Sequence, residues 1–310
     1  MFLYNDSRTK PAFPIAGLLM LILVNPALTS PPKQLTFDGK KKLSPIFTHS
    51  GKHLVFSTHS LPNRVTLEQL VLATGKRTRL LPNETAHQWD VTFSNDGRYW
   101  CYARSASSPQ LQLVIRDTHE NTEAIFATPE PRGTVRHPTF SPDNTHIVFG
   151  LSGPGGHQIA SVNLQGQNLQ KLTAAPGINT GPEYSFDGDK LVFTSSRTGN
   201  FEIYSMMADG NKLQMITNNP AMDLHPSWSP DGKWIAFTTL RDRNYEVYLM
   251  NEQGTNLVNV TNHHERDQFS AWHPNGQHLV TVSERKGRFD LYLHDLHSLT
   301  NMDALRNVDK

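Results

Sequence analysis

The stretch TNHHERDQ, Thr261 to Gln268, holds His263, His264, Glu265 and Asp267 within five residues. Imidazoles and carboxylates are common metal ligands and common general acids and bases, so the cluster raises the question of a metal or hydrolytic centre. Its spacing speaks against both. A zinc protease places His-Glu-x-x-His on one helix face. Adjacent side chains of an extended loop are expected to diverge, so His263 and His264 would need a third ligand from elsewhere, such as His225 or His137. Other catalytic signatures fail as well. GLSGPGG at Gly150 breaks the G-x-S-x-G elbow at Pro154, and there is neither a phosphate loop nor a Cys–His metal spacing.

What positions the cluster is a repeat. PSWSPDGKWIAFTT at Pro226 has sisters in PIFTHSGKHLVFST at Pro45, VTFSNDGRYWCYAR at Val91, PTFSPDNTHIVFGL at Pro138, PEYSFDGDKLVFTS at Pro182 and SAWHPNGQHLVTVS at Ser270. The shared aromatic falls at Phe47, Phe93, Phe140, Tyr184, Trp228 and Trp272, at spacings of 46, 47, 44, 44 and 44. Each unit reads as four strands. A short strand ends at the aromatic, a Pro/Asp/Asn/Gly turn follows, and then come an apolar strand, a third strand and a short fourth. The second strand is apolar on both faces, as in Ile235, Ala236 and Phe237, so both faces are buried. Six four-stranded units packed face to face predict an all-β, six-bladed propeller. Cys101 takes the place of Ala236 in its unit and is expected to be an inert core thiol.

A propeller must be closed. The sixth unit lacks a good fourth strand, while KQLTFDG at Lys33 resembles the fourth strands LQKLT and LQMIT. Residues 33–37 are therefore expected to complete the last blade, with LRNV at Leu305 as the rival. Arg197, Arg241 and Arg285 each precede an acid by five residues, at Glu202, Glu246 and Asp290. Pairs across the hairpin are expected there.

Composition narrows the function. The formal net charge is +1, and losing Asp6, Arg8 and Lys10 with the first thirty residues brings it to zero. A neutral chain has no electrostatic reason to bind nucleic acid or an anionic membrane. Arg8 and Lys10 precede the apolar run IAGLLMLILV, and small residues follow it. This is the pattern of an export signal over residues 1–30, and it is shorter than the roughly 20 apolar residues of a membrane span. An uncleaved anchor is the alternative. Residues 31–310 are then the propeller.

The segment SSRTGNFEIYSMMADGNKLQMITNNPAMDLHPSWSPDGKWIAF, Ser195 to Phe237, resembles the blade of the TolB-type propeller, the six-bladed domain of a periplasmic protein of the Tol–Pal envelope system. Related blades occur beside the hydrolase domain of prolyl oligopeptidase-type enzymes and in oligogalacturonate lyases. The likeness covers about residues 33–300. TolB has an α/β domain between signal and propeller that is not expected here. The resemblance implies an exported, periplasmic, non-enzymatic scaffold that binds an envelope protein or peptide. It implies no cofactor and no metal, and a monomer is expected. The alternative it implies is a metal-dependent carbohydrate-active enzyme similar to oligogalacturonate lyase.

In a propeller the first strand lines the central channel. Residues at or before the start of that strand are therefore the expected binding rim: Asp90, His137, Asn179, Asp223, His225, His263, His264, Glu265 and Asp267. Asn179, Asp223 and Asp267 read better as turn residues bonded to nearby backbone. In alignment, His263 falls on Asn219 and Asp267 on Asp223, so the histidines and Glu265 are one blade's additions to a shared loop.

Overall fold

A computed structural model describes residues 30–61, 63–106 and 110–298. Six four-stranded antiparallel sheets follow one another around a central axis. Their inner strands are Lys42–Phe47, Gln88–Phe93, Val135–Phe140, Asn179–Tyr184, Asp223–Trp228 and Asp267–Trp272. The propeller expected from the repeat is the observed fold. The leader residues 1–29 and the LRNV segment lie outside the described residues.

The core sits between blades rather than within any one of them. Ile235, Ala236 and Phe237 are all fully buried. Ala236 packs with Trp272 and Leu279 of the next blade, while Ile235 and Phe237 pack with Val192 and Ile203 of the preceding one. A strand apolar on both faces is stable only between two such neighbours. Cys101 is buried in the equivalent layer between blades 2 and 3, and burial pushes its thiol pKa up, as an inert core position requires.

Closure follows the expectation from KQLTFDG. Lys33–Gln34 pairs antiparallel with Arg288–Asp295, the third strand of blade 6. Thr36 shows why this segment fits. In blades 3, 4 and 5, Thr173, Thr217 and Thr261 each accept an amide from the third strand, those of Ile159, Ile203 and Val247. Each also donates to a side chain of that strand: Gln158, Glu202 or Glu246. Thr36 repeats both bonds, accepting Leu291 N–H at 3.0 Å and donating to Asp290 at 2.8 Å. Asp290 also meets the fully buried Lys42 at 3.0 Å, and Lys42 in turn pairs with Asp38. One acid thus fastens the first and last blades together.

The arginine pairing differs from the sequence expectation. Arg241 and Arg285 pair with Asp223 and Asp267, the first residues of their own inner strands, and Arg197 donates to Asn179. The guanidinium of Arg197 lies over Phe193 and Tyr204, and that of Arg241 over Phe237 and Tyr248. Stacking turns the head group toward the inner strand and away from the acid five residues on. Glu202 and Glu246 are left to hold the loop that leads to the next blade.

Candidate functional site: a central funnel

Every inner strand carries a β-bulge after its second residue. The third residue of each has positive φ: Ser44 (46°), Asp90 (52°), His137 (51°), Gly181 (63°), His225 (52°) and Phe269 (53°). Gly181 adopts this conformation without penalty. The other five are held there at a cost of about 1–3 kcal/mol each, which the surroundings must offset. Part of the offset crosses between blades. The amides of Asp90, His225 and Phe269 donate to the hydroxyls of Ser57, Thr194 and Thr238, each on the second strand of the preceding blade. The amide of His137 donates to Asp90 at 3.1 Å.

These six residues form the deep end of a cavity of about 600 Å³. Pro45, Pro138, Pro182 and Pro226 follow four of the bulges and line it. Proline lacks an amide donor and is tolerated where a bulge has already broken the ladder. The next layer is Ile46, Thr92, Thr139, Glu183, Ser227 and Ala271, and beyond it come the six repeat aromatics. The mouth lies among the turns after the inner strands, at His49, Asn95, Pro142, Phe186, Pro230 and Pro274. Phe186 is 72% exposed there.

The polar groups of the deep ring are largely spent. Asp90 accepts from Ser44 at 2.7 Å and from Arg136 at 2.5 Å. Burial raises its carboxyl pKa, but His137 and Arg136 outweigh that and hold it well below the usual range. His137 and His225 have ring centroids 6.0 Å apart, and the His225 ring is 4.4 Å from Phe269. Burial lowers the pKa of His137, and burial with His137 nearby lowers that of His225 to about 3, so both rings are neutral at pH 7. Glu183 is partly open to the cavity but enclosed by protein. Burial raises its pKa to about 8, opposed only by the bond from Trp228 N–H. The funnel is therefore mostly apolar, and the ionised carboxylate that lines it, Asp90, is paired with Arg136. Two residues that line it, Trp228 and Ser270, each also carry a buried donor, Nε1 and Oγ, that has no hydrogen-bond partner among the described residues.

The sequence-derived rim divides in two. Asp90, His137 and His225 meet in the funnel. Asn179, Asp223 and Asp267 are fully buried at the opposite end of the inner strands and bond Ser195 or the arginines described above. His263, His264 and Glu265 also lie at that end, in the loop from blade 5 to blade 6. The expected divergence of the two histidines is corrected: their ring centroids are 4.2 Å apart, because the chain bends at Asn262 (φ 36°). His263 Nδ1 nevertheless accepts the Glu265 amide at 3.0 Å, and both Glu265 oxygens accept the Lys286 amide. A nitrogen lone pair bonded in this way is not offered to a metal. The loop hangs on Asn244, which donates to the carbonyls of His263 and Glu265 as Asn200 does to those of Asn219 and Ala221. The shared frame of HHERD and NPAMD is thus visible bond by bond.

Glu183, Phe269 and Phe186 were missed as site residues. For Glu183 a signal was present, since it is the one acid at a position where the sister units carry Ile, Thr, Thr, Ser and Ala.

Residues 73–221 and 212–305 match the TolB beta propeller domain family. The chain belongs to that family. It is similar in fold to TolB from Acinetobacter baumannii, at 20% identity and a TM-score of 0.66, covering 79% of this chain and 64% of that one. The chain thus spans less than two thirds of that TolB. A putative TolB from Agrobacterium tumefaciens is similar at 21% identity and a TM-score of 0.64, covering 83% of this chain and 90% of that one. An oligogalacturonate lyase in complex with manganese is similar at 15% identity and a TM-score of 0.60, covering 88% and 94%. At these identities the likeness is one of fold alone. No curated protein matches the sequence.

Proposed function

We propose that this protein is exported to the periplasm and acts there as a non-catalytic scaffold that binds a peptide segment of an envelope protein in its central funnel. The observation that carries the reading is the funnel itself, about 600 Å³, walled by proline and aromatic side chains with the carboxyl of Glu183 among them. A concave, mostly apolar site with a few placed polar groups is what ligand recognition uses. Rigid blades hold it in shape, so little order need be gained on binding. Family membership and the leader pattern of residues 1–30 support the location.

A photo-cross-linking side chain at position 186, and separately at position 264, tests this in the native envelope. A specific adduct is expected from position 186, abolished by Thr139→Trp, which fills the funnel. Equal adducts from both positions, insensitive to Thr139→Trp, would sink the proposal.

The competing reading is a metal-dependent carbohydrate-active enzyme. Its support is the fold likeness to the manganese-bound lyase and the pair His137–His225. Two imidazoles are not a manganese site, however, and among the described residues no third His, Cys, Asp or Glu has a ligand atom within metal-binding reach of both; the Asp90 carboxylate is taken up by Ser44 and Arg136. Stoichiometric manganese in the purified protein, lost in His137→Ala with His225→Ala, would favour the enzyme instead.

A further inference from the structure

Of the two carboxyls that line the funnel, Asp90 is paired with Arg136, and Glu183 has no charged partner among the described residues. One carboxyl oxygen, Oε1, accepts Trp228 N–H at 3.1 Å, while Oε2 accepts no bond from the described residues and is open to the cavity. The other titratable groups lining the cavity are His49, Asp90, His137, Tyr184 and His225. Asp90 is engaged by Arg136, and the two deep histidines are neutral at pH 7. Tyr184 is also neutral, its pKa pushed up to about 12 by burial. No cation among the described residues therefore bonds the Glu183 carboxyl. Aromatic rings of Tyr184, Trp228 and Phe269 line the same space. One unpaired carboxyl within an aromatic wall is suited to an organic cation. The carboxylate supplies the counter-charge, and ring faces attract the ammonium and its methylenes.

We infer that the funnel takes a primary alkylammonium group against Glu183, from a lysine side chain or a free chain terminus of the bound peptide. This rests on the scaffold reading for the source of the amine. The carboxyl must lose its proton to form the pair. Its pKa of about 8 then makes binding tighten by up to about tenfold per pH unit from pH 6 toward pH 8. His225 does not reverse this, because burial and the nearby His137 lower its pKa to about 3, and burial moves His137 in the same direction.

The direct probe is n-butylammonium chloride, with n-butanol as the uncharged control. The read-out is the carboxyl carbon resonance of Glu183 in protein labelled at glutamate, assigned by its absence in Glu183→Gln. The amine is expected to lower the apparent pKa of that resonance by a unit or more at saturation, and n-butanol to leave it in place. An unmoved resonance, or equal effects of both probes, would overturn the inference. Peptides selected for binding to wild type and not to Thr139→Trp supply the second arm. Loss of at least tenfold in affinity on lysine acetylation assigns a side-chain amine, and the same loss on amino-terminal acetylation assigns a terminus. Selected peptides that bind Glu183→Gln unchanged and tolerate both acetylations would overturn the inference while leaving the scaffold intact. Failure to select any such peptide would instead count against the scaffold.

Discussion

The two ends of the inner strands use similar residues to opposite ends. At the start of the strands, Lys42, Asn179, Asp223 and Asp267 are fully buried, and their polar atoms are occupied by neighbouring side chains. At the far end the strands open into a funnel that is poor in charge, yet it holds an acid, Glu183, with one oxygen that accepts no bond from the described residues. The end richest in charged and polar residues is the one that fastens the blades. The end that reads as bland proline and aromatic sequence is the one with room for a ligand. Density of chemically capable side chains is therefore a poor guide to function in this fold, because buried polar groups must first satisfy one another.

The largest effect should come from the clasp between first and last blades. Asp290→Ala leaves Lys42 buried with only Asp38 as counter-ion and removes the acceptor of Thr36. A loss of about 3–5 kcal/mol in denaturant unfolding is expected. Deleting residues 31–38 should be as severe. An Asp290→Ala protein that unfolds like wild type would show that the ring closes without this clasp.

Next come Asp223→Ala and Asp267→Ala. Each strands a guanidinium that retains some solvent contact, with side-chain exposure of 20% for Arg241 and 19% for Arg285. About 1–3 kcal/mol of destabilisation is expected, with no change in funnel binding. A variant of normal stability that loses its ligand would move the binding site to this end.

The funnel should reveal itself through pH instead. Glu183 takes up a proton in the folded protein up to about pH 8, whereas the unfolded chain loses it near 4.5. Across that window the folded state holds the extra proton, so stability falls as pH rises. Glu183→Gln should remove this slope and raise stability at pH 8 by about 1–3 kcal/mol. His225 acts on the acid side. Its folded pKa of about 3 lies below its unfolded value of 6.5, so stability is lost as pH falls through that range. An unfolding profile of Glu183→Gln parallel to wild type from pH 5 to 8 would contradict the assignment of Glu183.

The smallest effect belongs to the residues that first attracted notice. His264 is 82% exposed in its side chain, and the loop is held through its backbone by Asn244. His264→Ala should change stability by less than about 0.5 kcal/mol. A zinc-dependent rise in melting temperature, lost in this variant, would restore the metal reading.

Much of the fold was legible in the chain because the repeat aligns six units residue by residue. Thr36 could be matched to Thr217 and Thr261 by sequence alone, and its bonds proved the same. The bulges were not legible, since the six left-handed positions are filled by Ser, Asp, His, Gly, His and Phe, and Ser and Phe lack the preference for that region that Gly, Asp and His have. The arginine partners were missed because two spacings recur equally. Each arginine lies five residues before an acid and 18 after Asn179, Asp223 or Asp267, and stacking on the aromatic rings decides between them. The end of the channel that opens was hidden for a related reason. It depends on how far the Arg136–Asp90 pair and the His137, His225 and Phe269 rings reach across the axis, which no single blade's sequence encodes.

The most direct test of the funnel is the affinity of one selected peptide for wild type, Thr139→Trp and His264→Ala, each checked for an unaltered fold. Thr139 makes no side-chain hydrogen bond among the described residues and lines the funnel between the deep ring and the aromatics. At least a hundredfold loss is expected for Thr139→Trp, with His264→Ala equal to wild type. Full binding by Thr139→Trp, with loss in His264→Ala, would place the site at the opposite end of the propeller and contradict the funnel.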